Sequence, residues 1–126
     1  MLDFTGTNCP NCRKMEGSVW SDPEVMKRLK ENFVIVSLYI DVHDVDLQPG
    51  EQYYSSVLGK QITTLGDKNV DLQIRVYNAN VQPYYFFLDA NEKRLIPEGY
   101  GYNADVNKFI KLLDTALANY TSGKYF

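Results

Sequence analysis

The chain has 126 residues, 44% hydrophobic and 23% charged, with a net charge of −3, which suits one soluble globular domain with a single core. No basic patch stands out, which argues against a nucleic-acid partner, and no apolar run approaches the ~20 residues of a membrane-spanning helix. With two cysteines and one histidine, a four-ligand zinc site within one chain is disfavoured, and no metal is expected.

Met1 to Thr5 reads as a short apolar strand, with no basic segment of a signal peptide before it. Asp3 stands in its middle. A carboxylate there is costly to bury, and burial would raise its pKa into the range where it can exchange a proton with a thiol; the plainer alternative is that Asp3 points to solvent. A polar turn leads to Cys9-Pro10-Asn11-Cys12, followed by a periodic apolar segment, Met15 to Phe33. Two cysteines three apart where a strand gives way to a helix form the layout of a dithiol redox site. Helix N-terminal N–H groups favour thiolate over thiol. Cys9 at that terminus is expected to attack, and Cys12, a turn further in, to resolve the mixed disulfide. Pro10 suits the first turn, where a missing N–H has no intrahelical partner. A purely structural disulfide is a weaker reading, because so small a loop removes little unfolded-state entropy.

Further along, Met15, Val19 and Trp20 share an inner face, while Gly17 and Ser18 weaken the helix. Ser21-Asp22-Pro23-Glu24 predicts a restart with Ser21 as N-cap and Glu24 closing a capping box. Val34 to Ile40 reads as a strand buried on both faces, hence parallel. Residues 42–80 are the least legible: a turn at Pro49-Gly50, a short helix or loop over Gln52–Leu58, and a helix over Val70–Val81. His43 reads as a surface residue. Gln82-Pro83 precedes an aromatic strand, Tyr84 to Asp89, which Pro83 could simply open in a trans peptide. A turn at Ala90–Lys93 and a returning strand at Arg94–Glu98 follow. Asn103 is the expected cap of a final helix carrying Val106, Phe109, Ile110, Leu113 and Leu117. The sequon Asn119-Tyr120-Thr121 reads as chance.

The stretch LDFTGTNCPNCRKME followed by VWSDPEV resembles the thioredoxin superfamily. More narrowly, it is similar to the C-terminal thioredoxin-like domain of transmembrane thiol:disulfide interchange proteins of the DsbD type. The likeness returns at Gln82-Pro83 and at Gly99-Tyr100-Gly101. It implies a thioredoxin-like α/β fold: a central mixed sheet from residues 1–5, 34–40, 84–89 and 94–98, with helices on both faces. That family carries a strand and a helix before the first strand seen here, so the chain is expected to be part of a longer protein. Val34–Ile40 then becomes a sheet edge open to pairing, including with a second copy.

The resemblance also assigns roles. Asp3, six residues before Cys9, matches the buried proton-handling carboxylate. Pro83 matches a cis proline facing the cysteines, which would leave the backbone of Gln82 free to pair with an extended substrate. Gly99 and Tyr100 fall in a loop bordering the substrate groove, so Pro10, Asn11, Gln82, Pro83, Gly99 and Tyr100 form the expected substrate-binding set, with Cys9, Cys12 and Asp3 catalytic. The implied activity is thiol–disulfide oxidoreduction in the reducing direction. It needs no cofactor beyond the Cys9–Cys12 pair. Electrons would arrive from a membrane-embedded cysteine pair and leave to extracytoplasmic thiol proteins, which implies the periplasm, as a domain of a membrane-anchored or exported bacterial protein, with the cytoplasm as the alternative. The Pro10-Asn11 dipeptide matches neither standard reductases nor strong oxidants. A disulfide oxidase or isomerase, or a non-catalytic binding module, are the alternatives.

Overall fold

In the computed structural model, which describes residues 1–126, strand β1 (Leu2–Thr5) is the centre of a three-stranded sheet. On one side it pairs in parallel with β2 (Val36–Tyr39), Asp3 opposite Ser37. On the other it pairs antiparallel with the aromatic strand at Tyr84–Phe86, Asp3 opposite Tyr85. Between β1 and β2 lie α1 (Pro10–Lys14), a π-helical turn (Met15–Trp20) and α2 (Pro23–Asn32). After β2 come a hairpin of β3 (Tyr53–Ser55) and β4 (Lys60–Ile62), helix α3 (Leu65–Tyr77), the aromatic strand as β5, and α4 (Val106–Ser122). This is the mixed α/β, thioredoxin-like architecture that the sequence implies.

Strand pleating divides the core into two layers, because alternate residues face opposite sides. Met1, Tyr85 and Phe87 face one side, where Met15, Val19, Val25, Leu29, Phe109, Leu113 and Ala116 pack against them. Phe4 and Phe86 face the other, where Tyr77 of α3 meets both rings at centroid distances of 5.6 and 4.3 Å. The Arg94 guanidinium lies over the same rings, 5.2 Å from Tyr77 and 5.4 Å from Phe86. Fully burying a side chain such as Phe4 stabilises the fold by roughly 1.5–3 kcal/mol.

Several local expectations give way to tertiary context. Asp22, not Ser21, caps α2: its carboxylate accepts from the Glu24 and Val25 N–H groups, while the Ser21 hydroxyl donates back to Gly17 O. Asp105, not Asn103, caps α4, with Asn103 accepting from the Asp105 N–H one step earlier. Strand β2 is not buried on both faces. It is the edge of the sheet, with Val34 78% and Val36 49% exposed, and an apolar groove lined by Met1, Phe33, Val34, Val36, Leu95 and Leu117 runs beside it. Arg94–Glu98 does not form a fourth strand. The return segment meets β5 and the residues after it at two isolated bridges, Leu88–Arg94 and Tyr85–Tyr100. It uses more residues between them than β5 does, and Pro97 among them has no N–H to offer. Asn119 of the sequon donates its side-chain N–H to Leu95 O.

The illegible middle is a hairpin, not a helix, over Gln52–Leu58, and its anchor is polar. Asp71 is 1% exposed, and accepts from the Tyr53 hydroxyl, the Ser55 hydroxyl and Arg75 Nε. Burial raises the Asp71 pKa, but these three donors outweigh it and hold it below the usual carboxylate range. Helix α3 begins at Leu65, not Val70, and it buries Asn69, Asp71 and Gln73. Val81 lies beyond its end and is 56% exposed.

Gly99 is required by packing. A Cβ there would sit 2.6 Å from Tyr84 Cζ and 2.8 Å from Phe86 Cζ. Gly99→Ala is expected to displace both rings and lower stability by about 1–3 kcal/mol, as overpacking of a core does; urea denaturation measures it, and an unchanged midpoint would contradict the packing argument.

Candidate functional site

β1 runs straight into the loop Gly6-Thr7-Asn8 and then Cys9. Cys9 is the N-cap of α1, and its Sγ accepts from the Cys12 N–H at 3.2 Å. Pro10 takes the first helical position. Cys9 and Cys12 are joined as a disulfide with Cα atoms 5.2 Å apart. The two sulfurs differ in access: Cys9 is partly exposed while Cys12 is 1% exposed. Pro10 and Asn11 are exposed beside them.

Asp3 points into the core side of β1, not to solvent, and is 2% exposed. One carboxylate oxygen accepts from the Ser37 hydroxyl at 2.9 Å; the other, Oδ1, has no hydrogen-bond partner. Burial lifts its pKa to about 6, the Ser37 bond offsetting part of the rise, with Glu16 pushing up and Arg13 pulling down. Tyr85, its cross-strand neighbour, has its phenol pKa raised, first by burial and then by the Asp3 charge. A carboxyl in this state is protonated below about pH 6 and ionised above it, close enough to neutrality to suit proton exchange with a thiol.

Three residues that the sequence did not single out complete the site. Ser37 is the register partner of Asp3; as the lone hydroxymethyl side chain in Val34–Ile40, it was detectable in principle. Arg13 reaches back from α1 to the Thr5 hydroxyl and Gly6 O, at 3.1 and 3.2 Å, and pairs with Glu16. Asp41, just beyond β2, accepts from the Thr7 N–H, the Thr7 hydroxyl and the Asn8 N–H at 2.9, 2.7 and 3.0 Å. Those bonds, the two backbone N–H groups first, hold its pKa down at about 2. No local sequence signal marks Asp41, because its partners lie more than thirty residues away.

Gln82-Pro83 is a cis peptide. In the antiparallel register Tyr84 faces Phe4, so Pro83 lies at the end of β1 from which the loop to Cys9 departs. The backbone N–H and C=O of Gln82 make no hydrogen bond within the chain. Its side chain does: Gln82 Nε2 donates to Gln73 Oε1, and Gln73, 0% exposed, donates to Val81 O. The Tyr100 backbone exchanges two 2.9 Å hydrogen bonds with Tyr85, and its ring packs on Phe109 at 5.7 Å. Gly99 is filled by rings of its own chain, so no foreign backbone approaches there. His43 is exposed.

The sequence profile of a thioredoxin-like domain matches residues 1–117. No curated protein matches the chain. Among solved structures, one described as DsbH oxidoreductase superposes with a TM-score of 0.61 at 22% identity, covering 93% of this chain and 70% of that one; at that identity the likeness speaks to fold. A cysteine pair at the start of a helix, fed by the central strand of a mixed sheet and matched over almost its full length by this profile, places the chain in the thioredoxin-like family.

Proposed function

We propose that the chain is a thiol–disulfide oxidoreductase working in the reducing direction on protein disulfides outside the cytoplasm. The observation that carries this is the asymmetry of the pair: an accessible Cys9 at a helix N-terminus, and a buried Cys12 in a site with a carboxyl of raised pKa. In the reduced form, the Cys9 thiolate attacks one sulfur of a partner disulfide; the S–S bond breaks and the released partner thiolate takes a proton. Asp3, ionised, accepts the Cys12 proton. The Cys12 thiolate then attacks Cys9 Sγ, closes the Cys9–Cys12 disulfide and expels the second partner thiol, which leaves with that proton. Two electrons and two protons pass to the partner. A dithiol donor, for which a membrane-embedded cysteine pair is the candidate, reverses the sequence at Cys9 and restores the reduced form.

The unbonded Gln82 backbone supports recognition of an extended segment by strand addition, with the exposed Pro10 and Asn11 beside Cys9 as further contacts for it. Disulfide partners persist in oxidising compartments, which favours the periplasm; no helix of the chain is long and apolar enough to cross a membrane.

The reduction potential of the pair tests the direction. Equilibration with a thiol buffer is expected to give a value near about −270 mV, as for thioredoxin; a value near about −120 mV, as for DsbA, would turn the assignment to an oxidant. If no disulfide forms at any poise, the chain is a binding module. Cys9→Ser is expected to abolish insulin reduction, whereas Cys12→Ser accumulates a mixed disulfide visible on non-reducing gels. Insulin reduction that survives in Cys9→Ser, or no trapped mixed disulfide in Cys12→Ser, would overturn this assignment of attack and resolution.

Asp3→Asn separates proton handling from folding. The native pKa of about 6 lies above the ordinary carboxylate value of 3.8, so the folded protein binds more protons between those values and stability falls as pH rises through that window. At pH 8 the ionised, buried Asp3 destabilises the fold. The Asn variant is therefore expected to be more stable there by about 1–3 kcal/mol, with the gain vanishing below about pH 4. The same variant is expected to slow resolution of the mixed disulfide about 10-fold or more at neutral pH. Urea melts across pH and stopped-flow turnover measure the two effects; a variant of unchanged stability and rate would remove Asp3 from the mechanism.

A further inference from the structure

The loop that delivers Cys9 is clamped from two sides by opposite charges. Arg13 holds Thr5 and Gly6 O from the helix side. Asp41 holds Thr7 and Asn8 from the far end of β2. Gly6 marks how close the second clamp comes to the nucleophile. The position that a Gly6 Cβ would occupy is 3.2 Å from Asp41 Oδ2 and 3.5 Å from Cys9 Cβ. Carboxylate and cysteine therefore flank the same small space, kept open because residue 6 has no side chain. Asp41 is spoken for as an acceptor by three donors, and it stays ionised at any pH at which a thiol titrates.

Resting on the oxidoreductase reading, we infer that Asp41 is a positioning residue that also sets the reactivity of Cys9. It fixes the approach to the helix N-terminus, and its negative charge opposes the thiolate formed there. The helix N-terminus lowers the Cys9 pKa; Asp41 raises it again. A destabilised thiolate disfavours the dithiol form relative to the disulfide, which makes the pair a better electron donor. The balance is Cys9–Cys12 disulfide plus two glutathione thiols against the dithiol plus glutathione disulfide, and only the dithiol side feels the carboxylate. Other charges around the loop are Arg13, its partner Glu16 and, within the sheet, Asp3; all remain when Asp41 alone is changed.

Two variants divide position from charge. Asp41→Asn keeps an oxygen for the Thr7 N–H and hydroxyl, gives up the acceptor of the Asn8 N–H and removes the charge; Asp41→Ala removes the charge and every acceptor. The first readout is the pH profile of iodoacetamide alkylation of the reduced full chain, which reports Cys9 because Cys12 is buried. A charge at this range in a half-exposed setting shifts a pKa by about half a unit to one unit, so Asp41→Asn is expected to lower the Cys9 pKa by that amount. Above the pKa, the glutathione equilibrium is expected to shift about threefold to tenfold toward the dithiol, tenfold corresponding to ~30 mV. Asp41→Ala, which loses all three acceptor contacts, is expected to lower the thermal midpoint more than Asp41→Asn, which loses the one to Asn8. An Asn variant with the wild-type alkylation profile overturns the inference, leaving Asp41 a loop anchor. Failure of the wild type to form its disulfide at any glutathione ratio overturns the oxidoreductase reading, while the alkylation profile still decides the effect of Asp41 on Cys9.

Discussion

β1 is the strand on which the site depends, because it is the one strand of its sheet that is hydrogen-bonded on both sides. Its N–H and C=O groups are satisfied by β2 and β5, and that leaves the chain little freedom until Gly6. Three consequences follow from this one ladder. Asp3 is held in the core layer between Ser37 and Tyr85. The loop to Cys9 leaves the sheet at a defined point and direction. Pro83 arrives at the same end, because β5 runs antiparallel to β1. The pairing of four-residue and three-residue strands thus fixes where Asp3, the Cys9 loop and Pro83 stand relative to one sheet.

That arrangement accepts local cost. An unpaired carboxylate oxygen in a core is unfavourable, and Oδ1 of Asp3 is such an oxygen. The fold carries it because the layer around it is dense with rings: Trp20, Tyr85, Phe109 and Tyr100 stack in sequence at centroid distances of 5.7 to 5.9 Å. The contrast with Asp71 is instructive. Both carboxylates are nearly inaccessible, yet Asp71 is given three donors and Asp3 one side-chain donor. The first has its pKa lowered and ties a hairpin to a helix; the second has its pKa raised. Burial alone does not set the role of an acidic residue. The number of donors aimed at it does.

The helix behind the cysteines shows the same division of labour. Five α-helical residues carry the pair, and a π-helical turn follows at Met15–Trp20, where Gly17 and Ser18 weaken the helix. Met15 and Val19, four residues apart, both reach the core at 0% exposure, while Arg13 outside clamps the loop with Glu16 paired to it. Packing anchors the helix from below, and polar contacts position its reactive end from above.

The sequence by itself was enough for the elements whose information is local. The cysteine spacing at a strand-to-helix junction, the acidic residue inside β1, the aromatic run after Gln82-Pro83 and the core spacing of α4 were all legible, because periodicity and motif spacing are properties of neighbouring residues. Tertiary structure decided the rest. Ser37 and Asp41 act on residues 34 and about as many positions earlier, and no local pattern encodes such a meeting. The hairpin β3–β4 and the polar inner face of α3 escaped because Asn69, Asp71 and Gln73 are buried by their hydrogen bonds, against the apolar rule on which periodicity relies. The edge position of β2 followed from the resemblance and holds, but its apolar run read as buried on both faces, and only the fold left Val34 and Val36 exposed. Side-chain chemistry was written in the chain; which oxygen would be left without a donor was settled only by the fold.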